Sequence, residues 1–538
     1  MLVELKKIYQ YLLSIKEAIF GLRYYEFFKI RSKNIPIYSK ISYNGLKEQA
    51  ERFLKEFESF NVENDYKIGN NRKVGFIWFC TGTPKEIRMQ ITFAKILEKM
   101  NFEVFWIVSK IEETHSVEYD KYSYVKKRAE LKKLIQILDM YGMKYYYLET
   151  IDFDFDFNEI KEKGFKNHNT YKIGFNSSLK FTKNDFDVRD FEKSKINSAM
   201  KAYMKTYKAL EQFIKINNVD VFSIEGGQYA NSKAVLDFAN DNNKKCITVE
   251  NFGANKLIFG MNVSCYSMPI EQVVDCSNAK DFIAEGKQTI EDIRSGKYYG
   301  RQFSNDNKKV DLPFENYLLI IPNVTWDSAT WYFDSNFYES QYEWLFDTID
   351  YCIKNDKPFV IRCHPGEKLM KSKYPLYDVL VDYMKKYKDF KQYKIISHND
   401  DSSTYSLIEK ADKAILYVST MGLELIHYNL PVIVVGNPYY KKRGFNIFPQ
   451  TKEEYYNYLD TSLTVKEEEK RNLYIYTALL QNFRISLSYG EFFKYTGRDE
   501  LKRWNLAENE FEKGFPFQQE NIEQYLYFIM KNLTDKVI

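Results

Sequence analysis

From Val74 onward the chain alternates between short apolar runs and longer segments whose apolar residues return every three or four positions. The short runs VGFIWFC (74–80), FEVFWIVS (102–109), KYYYLET (144–150), VDVFSIEGG (219–227) and KCITVE (245–250) predict strands. Between them MQITFAKILEKM, RAELKKLIQILDMYG, INSAMKAYMKTYKALEQFIKINN and NSKAVLDFANDNN predict helices. Strand, helix and strand in that order form a crossover unit with parallel strands. The stretch 151–193 is polar and aromatic and assigns itself to no element. Its DFDFDFNE (152–159) reads as a solvated strand or loop.

A second alternating run follows a charged stretch. NYLLIIPNV (316–324), PFVIRCH (358–364), YKIISH (393–398), KAILYVS (413–419) and PVIVVG (431–436) predict strands. The segments ESQYEWLFDTIDYCIKNDK, YPLYDVLVDYMKKY, SSTYSLIEKA and TMGLELIHYN predict the helices between them, and EEEKRNLYIYTALLQNF and IEQYLYFIMKNL predict terminal helices. The resulting expectation is an α/β protein with two Rossmann-like domains facing a cleft, plus N- and C-terminal helices. Its parts are a helical extension at 1–68, a first Rossmann-like domain at 69–276, a linker or surface segment at 277–310, a second Rossmann-like domain at 311–475, and a C-terminal helical segment at 476–538 that packs back on the core.

Composition narrows the partners. A length of 538 residues calls for at least two domains. The net charge of +4 gives no reason to invoke nucleic acid. The six cysteines form no CxxC pair, which favours reduced thiols and a cytoplasmic setting. No apolar run approaches the length of a membrane span. Apolar residues Leu5, Ile8, Leu12, Ile15 and Ile19 at helical spacing suit either packing or peripheral contact at the inner face of a membrane.

The chemistry gathers where predicted strands end. In VIRCHPGE (360–367), Arg362 and His364 follow an apolar strand. A histidine there can donate to phosphate or act as acid or base, and an arginine can pair with anionic oxygens. Ser419 and Thr420 sit between a strand and a predicted helix, where hydroxyls, free N–H groups and the helix dipole receive anions. Gly422 permits close approach, and Glu424 can accept ribose hydroxyls or serve as a first-turn glutamate. Asn323, Trp326 and Asp327 follow the first strand of the second block and would shape the same site.

In the first block, Gly82, Thr83 and Glu86 lie in TGTPKEIR after a strand, without the ending of a phosphate-binding P-loop. Glu225 precedes Gly226 and Gly227 at another strand end. A carboxylate there can deprotonate an acceptor hydroxyl or cap the following helix. The histidines show no metal-binding spacing, so no metal site is expected.

Across roughly 316–450 the chain resembles bacterial capsule polysaccharide biosynthesis proteins of the Kdo-transferase-like group, and more distantly the polyol-phosphate transferases of teichoic-acid synthesis. The likeness rests on NVTWDS, RCHP with Pro365, STMGLE, and PVIVVGNPYYKKRGF with Gly436, Pro438, Tyr439, Tyr440 and Gly444. It implies a glycosyltransferase B-type fold in which His364, Ser419 and Thr420 bind the phosphates of a CMP- or UDP-linked sugar. It further implies transfer to a glycan or lipid-linked glycan, with no cofactor beyond the donor. Polyol-phosphate transfer from a CDP-polyol is one alternative. A noncatalytic glycan- or nucleotide-binding assembly protein is the other.

Overall fold

The computed structural model describes residues 43–58, 62–79, 84–111, 123–186, 188–251, 256–274, 282–295, 310–370, 372–483, 485–486 and 519–533. It also describes the isolated positions Leu12, Ile15, Lys16, Ala18, Ile19 and Cys276. The chain divides into two compact units, one drawn from Met1–Gly174, Lys195–Val273 and Arg484–Ile538, the other from Phe175–Ser194 and Val274–Phe483.

The first unit is built on a seven-stranded sheet. Its strands are β1 (Lys73–Ile77), β2 (Glu103–Ser109), β3 (Tyr145–Leu148), β4 (Val221–Glu225), β5 (Lys245–Asn251), β6 (Lys256–Met261) and β12 (Ile485–Ser486), in the order β12-β6-β5-β4-β1-β2-β3. β1 to β5 are parallel, and β6 and β12 add antiparallel edges. The helix Gln519–Leu533 closes this unit. Its Tyr525 packs on Phe93 and Phe259, and the Asn532 amide donates to the Gln272 carbonyl at 2.9 Å.

The second unit has five parallel strands: β7 (Tyr317–Ile321), β8 (Phe359–Arg362), β9 (Tyr393–Ile396), β10 (Ala411–Leu416) and β11 (Val432–Val434). Their order is β11-β10-β7-β8-β9. Leu318, Ile320, Phe359, Ile361, Ile415 and Ile433 join Trp344, Leu345, Leu376 and Tyr455 in one buried core. Helices cover both faces of such a sheet, so its strands read as continuous apolar runs rather than alternating ones.

Both sheets follow the Rossmann order, in which strands are added to one side of the first strand and then, from the fourth on, to its other side. The expected pair of parallel-sheet α/β units is therefore present. The crevice where a ligand binds in such a sheet lies beyond the carboxyl ends at that reversal, between β1 and β4 in one unit and between β7 and β10 in the other.

Several segments depart from the sequence expectation. The helix Ile283–Arg294 occupies much of the stretch read as a linker and packs against Glu467–Asn482. A Cβ on Gly286 would meet the Tyr474 carbonyl oxygen at 1.9 Å, so the two helices approach at a glycine. The unassigned stretch 151–193 holds the helices Phe157–Lys163 and Thr170–Thr182 and the start of Asp190–Ile216. In DFDFDFNE, residues 152–156 form no strand; Asp152, Asp154 and Asp156 are exposed, and Phe153 and Phe155 are half-buried.

The helices predicted over 402–411 and 420–429 are instead short 3₁₀ turns at Thr404–Leu407 and Thr420–Leu423. In the second case distant groups take carbonyls that a helix would use. The Asn446 amide donates to Gly422 O at 3.0 Å, and the Tyr440 hydroxyl donates to Ser419 O at 2.5 Å.

Candidate functional site

Every residue singled out in the second block lies at or beyond the carboxyl end of β7, β8 or β10. Pairing of Leu319 with Ala414 and of Leu318 with Phe359 keeps these strand ends level. Asn323 stands at the reversal itself. Its Oδ1 accepts from Val418 N–H at 3.2 Å, which ties the loop after β7 to the loop after β10. Gln341 brackets the Asn323 backbone, accepting from its N–H at 2.9 Å and donating to its carbonyl at 3.1 Å.

His364 is half-buried, two residues beyond β8. Its Nδ1 accepts from the Gly366 N–H at 2.9 Å. A neutral imidazole held this way carries its proton on Nε2, leaving that nitrogen the donor. Ser419 is buried, and its hydroxyl accepts from Met421 N–H at 3.3 Å as the cap of the 3₁₀ turn. Thr420 is exposed beside it and Gly422 is buried. The anion site expected at a helix N-terminus is thus a capped turn, without the dipole of a full helix.

Arg362 does not present its guanidinium as an anion clamp. Its side chain is 1% exposed and donates to the carbonyls of Ser397 at 2.7 Å, Asp400 at 3.0 Å and Ser402 at 3.3 Å. It holds the loop after β9 against the end of β8. Burial lowers its pKa, but a guanidinium stays charged, so these contacts offset the cost of burying it.

Glu424 is also buried, at 3% exposure, and the Tyr405 hydroxyl donates to it. Burial pushes its carboxyl up to about 7. The Arg294 guanidinium, from the segment read as a linker, lies 5.3 Å from the Tyr405 ring and 5.4 Å from the Tyr428 ring. Glu424 therefore belongs to a packed cluster, and a ribose hydroxyl would have to replace Tyr405 to reach it. Asp327 caps the helix Ser328–Tyr332 by accepting from Ala329 N–H at 3.0 Å.

Two carboxyls absent from the sequence reading brace the loop after β7. Asp185 accepts from the Thr325 hydroxyl at 2.9 Å, and Tyr342 donates to that hydroxyl at 3.1 Å. Burial pushes Asp185 up to about 6. On the other side, the Trp326 indole donates to Ser372 Oγ at 2.7 Å, and the Ser372 hydroxyl donates to Glu367 at 2.9 Å. Glu367 is 2% exposed, and burial pushes it up to about 7. Glu192, on the same segment as Asp185, behaves differently. Burial alone would raise it, but Lys373 at 2.7 Å, the Asn184 amide and the Arg189 N–H hold it down at about 2.

In the first unit Glu225 ends β4 at the strand reversal and is half-buried. Gly226 and Gly227 follow with φ of 60° and 81°, a region glycine enters without strain. Ser264 donates to the Gly226 carbonyl at 2.7 Å. A Cβ on Gly226 would meet the Tyr266 ring at 3.2 Å and a Glu250 carboxylate oxygen at 3.4 Å. Glu250, at the end of β5, and Tyr266 thus share this strand end with Glu225. Burial and the Glu250 charge push the Tyr266 phenol well up. Neither residue carried a motif that would have marked it. Gly82 and Thr83 lie outside the described residues, as does the side chain of Glu86.

Among the described residues no group of three or more His, Cys, Asp or Glu is placed to hold a metal ion. Among them, too, no helix is long and apolar enough to cross a membrane.

Residues 275–482 match the family described as capsule polysaccharide biosynthesis protein. The resemblance drawn from the sequence is supported over that part of the chain. Asn323, Trp326, Asp327, Arg362, His364, Ser419, Thr420, Gly422 and Glu424 fall inside it, while Glu225 and 82–86 fall outside.

A comparison with curated proteins found no match. Among solved structures, the KpsC β-Kdo 2,4 transferase of Thermosulfurimonas dismutans is similar at 14% identity and a TM-score of 0.30, over 48% of this chain and 79% of that one. The β-Kdo 2,7 transferase KpsC of the same organism is similar at 14% identity and a TM-score of 0.30, over 54% and 88%. The UDP-GlcNAc 2-epimerase of Methanocaldococcus jannaschii, in complex with UDP-GlcNAc and UDP, aligns at 13% identity and a TM-score of 0.23, over 74% and 97%. These scores are too low to carry residues or activities across.

Proposed function

We propose that the chain is a glycosyltransferase of capsule or surface polysaccharide synthesis, taking its sugar from a CMP- or UDP-linked donor. The observation that carries this reading is the convergence at the β7/β10 reversal. Asn323 ties the loops after β7 and β10 together there, and His364 follows the neighbouring β8 with its Nδ1 taken by the Gly366 N–H, so that a neutral ring carries its proton on Nε2. The match to the capsule family over the same residues supports it.

In the proposed reaction an acceptor hydroxyl oxygen forms a bond to the anomeric carbon of the sugar. The bond from that carbon to the donor phosphate breaks, and the nucleotide leaves with the electron pair. The Nε2–H of His364 and the hydroxyls of Ser419 and Thr420 stabilise the charge that grows on the phosphate. Glu225 takes the proton of the acceptor hydroxyl. No cofactor beyond the donor enters this scheme. A cytoplasmic nucleotide sugar and a lipid-linked glycan would meet at the inner face of the membrane.

A donor panel of CMP- and UDP-sugars, CDP-glycerol and CDP-ribitol, read by product mass, tests the reading. It expects an added sugar mass that is lost in His364→Ala. An added polyol phosphate, or turnover unchanged in His364→Ala, would overturn it.

A further inference from the structure

Glu367 sits three residues beyond His364, and the proposed reaction does not use it. Packing does not explain it either. It is 2% exposed, and it receives hydrogen bonds from the Ser372 hydroxyl at 2.9 Å and the Leu376 N–H at 3.3 Å. The groups that face it are the Asp185 and Asp378 carboxyls, the Cys363 thiol and the Tyr342 phenol. The two carboxyls repel its charge, so an amide of the same shape would cost the fold less at neutral pH.

What a carboxylate does supply here is a direction for a hydrogen-bond chain. An indole N–H can only donate, so Ser372 Oγ accepts from Trp326 at 2.7 Å and must pass its own hydrogen onward. Glu367 receives it. A protonated Glu367 keeps an acceptor oxygen for Ser372 but loses the charge that strengthens that bond, so the chain holds Trp326 less firmly.

We propose that Glu367 is a positioning residue for the donor, orienting Trp326 through Ser372 and loosening that hold when it takes up a proton. The proposal rests on the donor reading given above. In that reading Trp326 is the residue that would meet the donor. The loop that carries it is fixed on its other side, where Thr325 is bonded to Asp185 and Tyr342. Burial has pushed Glu367 up to about 7, which places the proton uptake near neutrality.

The test uses the full chain and the variants Glu367→Gln, Ser372→Ala and Trp326→Phe. The emission of Trp326, taken as wild type minus Trp326→Phe, should step with a midpoint near pH 7. That step should vanish in Glu367→Gln. Calorimetric titration at pH 8 with CMP and UDP should show binding of one of them by the wild type. Binding should weaken about 3- to 10-fold in Ser372→Ala, the scale of one lost hydrogen bond in a positioning chain. An emission step that persists in Glu367→Gln, or unchanged nucleotide affinity in Ser372→Ala, overturns the positioning role. A wild-type chain that binds neither nucleotide overturns the donor reading instead, whatever the emission does.

Discussion

The two units share a strand order, yet their carboxyl edges are built by different means. In the second unit, side chains hold the edge. Asn323 reaches the Val418 backbone, Arg362 grips three carbonyls, and Asp185 and Glu367 fix the loop between Thr325 and Trp326. In the first unit, backbone conformation does the work. Gly226 and Gly227 turn the chain with positive φ beneath Glu225, and Ser264 pins the turn. The lesson is that one fold presents two candidate sites at equivalent strand ends, one braced by side chains and one shaped by a glycine turn. The same contrast matches the proposed division of labour, with phosphate recognition on the braced edge and proton removal on the other.

The comparison can be broken at its strongest point first. His364→Ala should lower turnover by about 10²- to 10³-fold, the cost of losing one oriented donor to a developing anion. Its thermal unfolding should stay close to wild type, because the ring is half-buried and its bond to the Gly366 N–H is local.

Arg362→Met should behave in the opposite way. It removes three bonds to the carbonyls of the loop after β9 and should cost about 3 kcal/mol in a denaturant titration. Any loss of donor binding should track that loss of stability.

Glu225→Gln sharpens the contrast between edges. Transfer should slow by about 10- to 100-fold while nucleotide affinity stays within about twofold, since a general base acts on the acceptor. Equal losses in both would place Glu225 elsewhere. Gly227→Ala should destabilise by about 1–3 kcal/mol, read as a lower unfolding temperature. Its Cβ would sit 2.9 Å from a Thr248 methyl at a φ of 81°.

The smallest effect concerns pH. Burial raises the Glu424 carboxyl from its usual 4.5 to about 7. Between those values the folded chain holds a proton that the unfolded chain releases. The stabilisation is therefore complete below about pH 4.5 and is lost as pH rises through 7. Glu424→Gln should unfold at least as late as wild type at pH 8, by about 1–2 kcal/mol, with the difference gone at pH 4.5. A variant less stable at pH 8 would show that the ionised carboxylate is a net stabiliser.

Much of this was legible because parallel strands buried on both faces spell themselves as apolar runs. YLLII and FVI fall inside β7 and β8, and Asn323 and His364 follow them within three residues. The sequence placed Arg362 and His364 together at a strand end, but could not say that the guanidinium would be spent on carbonyls 35 to 40 residues away. The 420–429 segment has a helical pattern, but its carbonyls are claimed by Tyr440 and Asn446 from further along the chain. Asp185 was out of reach for the same reason. Its partner Thr325 is 140 residues distant, and nothing in a polar, aromatic stretch marks one aspartate as buried. Motifs reveal residues that act near their neighbours in sequence. Tertiary partners decide which of those residues face a ligand.

The central claim is that the β7/β10 edge of the second unit receives a nucleotide through its phosphate. Calorimetric titration of CMP and UDP into the wild-type chain and into His364→Ala tests it most directly. The account predicts one-to-one binding of one of the two nucleotides, weakened about tenfold or more when the histidine is removed. Binding of equal strength in the two proteins would contradict it.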